Sequence, residues 1–221
     1  MKNMFLLLVL LVNFALSASA QTSKGSVGLI GSADFYNFEF KPDLQTGAMY
    51  DDIFNYSGGL EGGYHFTDSF SGSLGLVGSK KGFEKEYISP IIDETYQEQL
   101  RTTRLDIYYL DIPVLFDYDF YLNEKVSVFA SAGAVPGILL DDKEVSNYVT
   151  DTDRQTDFMN HNLNKVVLAG QVSGGFKLQV YDTKSIRIEP YFRKYFNKMA
   201  PDLMTENPNS YGIQIGIFQH F

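Results

Sequence analysis

Residues 105–120, LDIYYLDIPVLFDYDF, restrict the fold more than any other part of the chain. From residue 108 onward every even-numbered position is apolar or aromatic, whereas the odd-numbered positions include Asp111, Pro113, Asp117 and Asp119. Pro113 would break a buried helix, and it would remove a hydrogen-bond donor from the middle strand of a soluble sheet. Because successive side chains of a strand point to opposite faces, the pattern predicts a strand with one apolar face and one mixed, partly charged face.

The same alternation recurs along the chain. It predicts eight strands, at residues 26–38, 56–66, 70–86, 105–120, 126–142, 165–180, 185–199 and 210–221. The connections alternate between short turns and long loops, the long ones being 39–55, 87–104, 143–164 and 200–209. Short turns on one side, longer loops on the other and an even strand number are typical of bacterial outer-membrane barrels. We therefore expect an all-β fold, an eight-stranded antiparallel up-and-down transmembrane β-barrel.

Alternation alone does not say which face points outward, since a soluble barrel of the lipocalin type would bury its apolar face. Three features favour the membrane barrel. The polar face is rich in Gly, Ser and Gln and carries few charges, as a narrow lumen would, and the last strand alternates up to Phe221. Aromatic residues also gather at the strand ends, where rings would meet the lipid–water interface. They are Tyr64, Phe66, Phe70, Tyr118, Phe120 and Tyr181 at the short-turn rim, and Phe35, Tyr56, Tyr108, Phe196 and Tyr211 at the other.

Six charged residues fall on the lumen face and predict a structural charge network: Glu61, Asp111, Lys177, Arg187, Glu189 and Arg193. An unpaired charge in a packed interior is costly, so we expect these residues to be paired, with Arg187 or Arg193 as the partner of Asp111. Side chains fill a barrel of eight strands, so no open diffusion pore is expected. At Pro113 we expect a local β-bulge, which would compensate for the missing donor.

The N-terminus has the pattern of a secretory signal peptide. A short basic head precedes the apolar run MFLLLVLLV, and small residues ending in an A-x-A pattern follow. The alternative is a membrane anchor, but the apolar run is short for a helix that crosses the membrane. We expect a cleaved signal at residues 1–20 and one barrel domain at residues 21–221.

Composition argues against several classes of function. The formal net charge of −9 and the lack of basic clusters exclude nucleic acid as a partner. Ser146, Asp157 and His161 could be drawn as a catalytic triad, but no motif spacing supports it. The segment DTDRQTD, 151–157, fails the EF-hand pattern, although a weak surface cation site stays open there. The sequence predicts no catalytic residue, no metal ligand and no cofactor.

One family resemblance is carried by YLDIPVLFDYDF at residues 109–120, with Leu110-Asp111-Ile112-Pro113 as its strongest element. This stretch resembles the fourth strand of the Bacteroidetes outer-membrane β-barrel family that includes the PorT-like proteins. GGFKLQV (174–180), RIEPYFRKYF (187–196) and GIQIGIFQHF (212–221) are similar to later strands of that family. The resemblance implies a barrel in the outer membrane, and a secretion or envelope-assembly role by analogy.

The last strand also resembles the assembly signal that the barrel-assembly machinery recognises. Its elements would be Tyr211, Ile213, Ile215, Ile217 and Phe221. We expect a non-catalytic protein of the bacterial outer membrane that contacts lipid and is structural, serves envelope assembly or secretion, or binds an envelope or extracellular protein through loops 87–104 and 143–164. The alternatives are a barrel that transports or binds a small solute and, less favoured, a membrane-embedded lipid-modifying enzyme.

Overall fold

The computed structural model describes residues 24–41, 49–93, 98–123, 125–148, 153–156 and 162–221. The strands among them are β1 (Gly25–Asn37), β2 (Met49–Asp52), β3 (Asn55–His65), β4 (Phe70–Asp93), β5 (Glu98–Asp111), β6 (Val114–Tyr121), β7 (Val126–Tyr148), β8 (Asp153–Thr156), β9 (Val166–Tyr181), β10 (Lys184–Tyr195) and β11 (Asn209–His220). In these ranges there is no helix with the length and apolar character needed to cross a membrane.

The strands close into an antiparallel barrel because β1 pairs with β3 on one side and with β11 on the other. The ring runs from β1 through β3, β4, β7, β9 and β10 to β11, with β5 and β6 sharing one position between β4 and β7. It therefore has eight strand positions. The short strands β2 and β8 lie beside β4 and β7 as extensions of the wall. The prediction of an antiparallel all-β barrel is confirmed.

The apolar face of the barrel points outward. Ile213, Ile215 and Ile217 of β11 are each more than half exposed, whereas Gln214 between them is buried. Glu189 on the neighbouring β10 is completely enclosed. A soluble barrel would show the opposite arrangement, so the polarity of the wall is that of a barrel whose outer surface meets hydrocarbon.

Both ends of the outer wall carry exposed aromatic side chains, as the alternation predicts. At the short-turn end Tyr64, Phe66 and Phe120 are about half exposed, and at the other end Phe35 stacks on Tyr211 with ring centroids 5.6 Å apart. Aromatic side chains prefer the interface between membrane and water. The two aromatic rims therefore mark the upper and lower limits of the wall that lies in the bilayer.

The expected loops at 87–104 and 143–164 are wrong in their bounds. β4 continues to Asp93 and pairs with β5 from Glu98 onward, and β7 continues to Tyr148 beside β8. These extensions lie beyond the closed ring. A strand outside the membrane does not need the alternation of a membrane strand, and backbone pairing joins the two strands of the hairpin. The side chains of residues 149–161 lie outside the described residues.

The bulge expected at Pro113 is also wrong. The register between β4 and the β5–β6 strand is the same on both sides of Pro113, from Val77 opposite Asp111 to Leu74 opposite Val114. The Gly75 amide donates to the Pro113 carbonyl over 2.9 Å. A β-carbon on Gly75 would come within 2.7 Å of the proline ring, so glycine provides the room that keeps the ladder in register. A register shift occurs instead beside Tyr108 and Tyr109.

The predicted signal peptide, residues 1–20, lies outside the described residues and stays a prediction.

Candidate functional site in the barrel interior

Arg187 is the centre of a charge cluster in the short-turn half of the lumen. It lies on β10 with the inward parity, and its guanidinium faces β3 and β6 across the barrel. Its Nη1 lies 2.9 Å from Oε1 of Glu61, and its Nη2 lies 2.5 Å from Oε2 of Glu189. Asp117 adds a third carboxylate at 3.5 Å. A planar guanidinium with several donors suits such a site, since it can bind more than one carboxylate at once.

Lys177 on β9 extends this cluster toward the short-turn opening. Its Nζ lies 2.8 Å from Asp119 and 3.5 Å from Asp117. The Lys177 side chain is partly exposed, whereas both aspartates are buried. The cluster thus ties β3, β6, β9 and β10 together across the barrel interior.

A second cluster lies nearer the long-connection end and is built on Asp111. Lys81 of β4 places its Nζ 2.6 Å from Oδ1 of Asp111, and Nη1 of Arg193 lies 3.6 Å from the other carboxylate oxygen. Arg193 also donates from Nε to the side-chain oxygen of Gln171 over 2.6 Å. The Lys81 ammonium lies 4.5 Å from the Tyr109 ring centroid, close enough for a cation–π contact.

All six residues of the expected network point into the barrel, but they form two clusters. Of the two expected partners of Asp111, Arg193 is near it and Arg187 belongs to the other cluster. Sequence reasoning missed Lys81, which is the nearer partner. In the sequence, two consecutive lysines at 80 and 81 are typical of a solvent-exposed segment. Every second residue from Val77 along β4 faces inward, however, and this count places Lys81 in the lumen. The same count on β6 would have added Asp117 and Asp119 to the network.

The long-connection end of the lumen is closed by apolar side chains. Met199, Ala200 and Met204, from the connection between β10 and β11, fold inward and are fully buried. The Lys41 amide donates to the Leu203 carbonyl, and the Thr205 amide donates to the Glu39 carbonyl, each over 2.8 Å. We call this closure the apolar cap. Its remaining buried members are Tyr36, Phe38, Phe83, Leu105, Ile107, Tyr109, Val135, Val167, Ala169 and Tyr195.

The short-turn end has an open mouth that leads into a polar cavity of about 220 Å³. His65 and His220 line it together with Lys177 and Asp119. Deeper in the lumen than Lys177, the charge cluster around Arg187 leaves a small cavity of about 40 Å³. The lumen is therefore accessible from one end to the depth of the charged cluster and is filled beyond it.

The described interior offers little for catalysis. Oγ of Ser185 and Nε2 of His220 lie 2.7 Å apart at the mouth. Among the described hydrogen bonds none joins His220 to a carboxylate, and a serine–histidine pair needs such an orienting group to act as a nucleophile. No group of three or more metal-ligating side chains occurs among the residues that the structure describes. Of the triad considered above, Ser146 is buried on β7, and Asp157 and His161 lie outside the described residues. The side chains of the 151–157 segment also lie outside them.

The expected assembly-signal residues lie on the closing strand. Tyr211, Ile213, Ile215 and Ile217 all project outward from β11 and are more than half exposed. The amide of Phe221 donates to the Gly25 carbonyl over 2.9 Å, which ties the last residue to β1.

Comparison with known proteins agrees with this architecture. The sequence model of one protein family, described as "Outer membrane protein beta-barrel domain", matches residues 18–197. No curated protein matches the chain at a significant level.

Solved structures of similar fold include Neisserial surface protein A, at 11% identity and a TM-score of 0.49, with 89% of this chain and 97% of that chain covered. OprG from Pseudomonas aeruginosa is 13% identical with a TM-score of 0.47, and 90% of this chain and 97% of that chain are covered. Ail, the attachment invasion locus protein of Yersinia pestis, is 14% identical with a TM-score of 0.41, at 91% and 100% coverage.

Proposed function

Because this chain belongs to the outer membrane protein β-barrel domain family, and so resides in the bacterial outer membrane, we propose that it is a non-catalytic barrel with a filled lumen that binds a protein partner through its wall extensions. By extensions we mean β2, β8 and the parts of β4, β5 and β7 that continue past the closed ring. In bacterial barrels the longer connections face the cell exterior, so these extensions would stand outside the membrane.

The observation that carries this proposal is that paired strands continue beyond a barrel whose interior is blocked. β4 and β5 remain paired as far as Asp93 and Glu98, and β7 carries β8 at its far end. A rigid scaffold that presents a hydrogen-bonded sheet suits recognition by contact. Among the residues that the structure describes, the charged clusters and the apolar cap fill the lumen past the short-turn mouth, which argues against the transport alternative.

The resemblance to PorT-like proteins supports a secretion or envelope-assembly role for the protein. A secretion or envelope-assembly role would use the same extensions or the short-turn mouth to contact other envelope proteins. The partners proposed for the membrane-embedded wall are outer-membrane lipid and the barrel-assembly machinery, the latter through β11.

The test is a shortened variant in which an Asn-Gly turn joins Glu84 directly to Arg104, which face each other in the native register. The variant keeps the ring and removes the hairpin beyond it. Cells carrying either protein would be cross-linked at their surface and the tagged barrel purified. We expect a cross-linked partner with the complete chain and its loss with the shortened one. Equal cross-linking by both barrels would contradict the proposal.

Transport is tested separately with purified barrels in lipid vesicles. We expect no solute-driven swelling above that of empty vesicles. Swelling that depends on solute size would favour the transport alternative instead.

A further inference from the structure

The outer wall carries a shallow, open apolar depression of about 590 Å³ near the short-turn rim, which we call the groove. Its floor crosses β1, β3 and β4 at the level where Val27, Gly62 and Leu74 lie side by side. Its aromatic walls are Tyr64, Phe66, Phe116 and Phe221. The groove is thus a depression in the lipid-facing surface of the barrel.

Glycine creates the low point of this floor. A β-carbon at Gly62 would find its nearest neighbours at 3.9 and 4.0 Å, which is ordinary contact, so the described part of the chain does not require glycine there. A β-carbon at Gly25 would meet nothing within 4 Å. The missing side chains leave room on the outside of the wall, where the chain meets the membrane.

A second cavity, of about 480 Å³, adjoins the groove at the rim and shares Phe66 with it. It is lined by Lys24, His65, Thr67, Asp68 and Tyr121, and so it is polar and holds one cation beside one carboxylate. The Lys24 carbonyl accepts a hydrogen bond of 2.7 Å from the His65 amide, which fixes this lysine at the end of β3. An apolar depression therefore leads into a polar space at the height of the lipid headgroups.

We propose that this surface binds one phospholipid of the periplasmic leaflet. One acyl chain lies in the groove over Gly62, and the phosphate accepts hydrogen bonds from the Lys24 ammonium. The amphipathic order of the two cavities matches a phospholipid, with hydrocarbon toward the middle of the membrane and charge at the rim. The short turns face the periplasm in bacterial barrels, which assigns the lipid to that leaflet.

The experiment uses the full barrel reconstituted in bilayers of phosphatidylethanolamine and phosphatidylglycerol, then released into mild detergent for native mass spectrometry. Gly62→Leu fills the groove. Gly58→Leu is the matched control, because Gly58 lies on the same face of β3 outside the groove and also has room for a β-carbon, with its nearest neighbour at 3.6 Å. Both variants are first checked for folding by heat-dependent migration on an unboiled gel.

We expect one phospholipid to remain bound to the wild-type protein and to Gly58→Leu, and to be lost from Gly62→Leu. Lys24→Ala should reduce phospholipid retention by roughly tenfold, the loss expected for one charge-assisted hydrogen bond. Lys184→Ala, at the same rim on β10, should leave it unchanged. Equal retention by the two glycine variants would overturn the proposal, as would a retained mass that corresponds to a second copy of the chain.

Discussion

Nζ of Lys81 lies 2.6 Å from Oδ1 of Asp111 inside the barrel, and both side chains are removed from solvent. The two residues sit on neighbouring strands, β4 and β5, and Asp111 directly precedes the Ile112-Pro113 step that separates β5 from β6. A pair with so little water around it is costly to break, because the remaining charge has nowhere to be solvated.

Replacing Lys81 by Met should therefore destabilise the barrel by about 3–5 kcal/mol, since the ion pair that Asp111 keeps within the described part of the chain is the longer one to Arg193. The free energy of unfolding would be measured by urea titration in lipid vesicles. The double variant Lys81→Met with Asp111→Asn is the control. It should recover part of the loss, because Asp111 is then neutral and the charge that remains, Arg193, keeps its hydrogen bond to Gln171. A single variant as stable as the wild type would show that the pair carries no such role.

Arg187 should tolerate replacement less well than Lys81, because three carboxylates surround it. Arg187→Met removes every one of these contacts and should cost at least about 3–5 kcal/mol. Arg187→Lys keeps the charge but loses the planar donor set. Its stability should therefore fall between that of the wild type and that of Arg187→Met. The same urea titration separates the three proteins. Equal stability of the Lys and Met variants would mean that charge at this position is unimportant.

Gly75 should be intolerant of a side chain as long as Pro113 is present. A β-carbon at Gly75 would meet the proline ring at 2.7 Å, so Gly75→Ala should cost about 1–3 kcal/mol through overpacking. Combining it with Pro113→Ala should restore much of the loss, because the ring is removed and a backbone donor returns. If Pro113→Ala brings no rescue, the close approach of these two residues is not the cause.

The lipid-facing wall should reject charge according to depth. Ile215, at the centre of β11, is 54% exposed on the outer face. Ile215→Arg should cost about 2–4 kcal/mol, whereas Tyr211→Arg at the rim should cost only about 0–1 kcal/mol. Unfolding from lipid vesicles gives both values. A cost at residue 211 equal to that at residue 215 would be inconsistent with a membrane boundary near Tyr211.

How far the sequence predicted this structure depends on which part of the chain meets lipid. Inside the ring one face of every strand contacts hydrocarbon, so alternation predicted the strand positions and the outward side of residues such as Ile215. A strand past the ring needs no lipid-facing side, so β4 and β5 continue where the alternation stops.

The interior was harder to predict because pairing across the barrel depends on closure. The alternation along each strand predicted that Asp111 and Arg187 face the lumen. It did not predict which cation pairs with which carboxylate. The part of the apolar cap that lies between β10 and β11 gave no periodic signal, since Met199 and Met204 come from an irregular connection and are buried only when it folds inward.

The seam between β1 and β11 has a consequence for biogenesis. Ser26 pairs with His220, and Asn37 pairs with Asn209, so the wall is sealed by contacts between the two extremes of the sequence. Contacts of such long range form slowly, and until they form both end strands present unsatisfied edges. An unsealed barrel is therefore open to pairing with a second chain along these two edges.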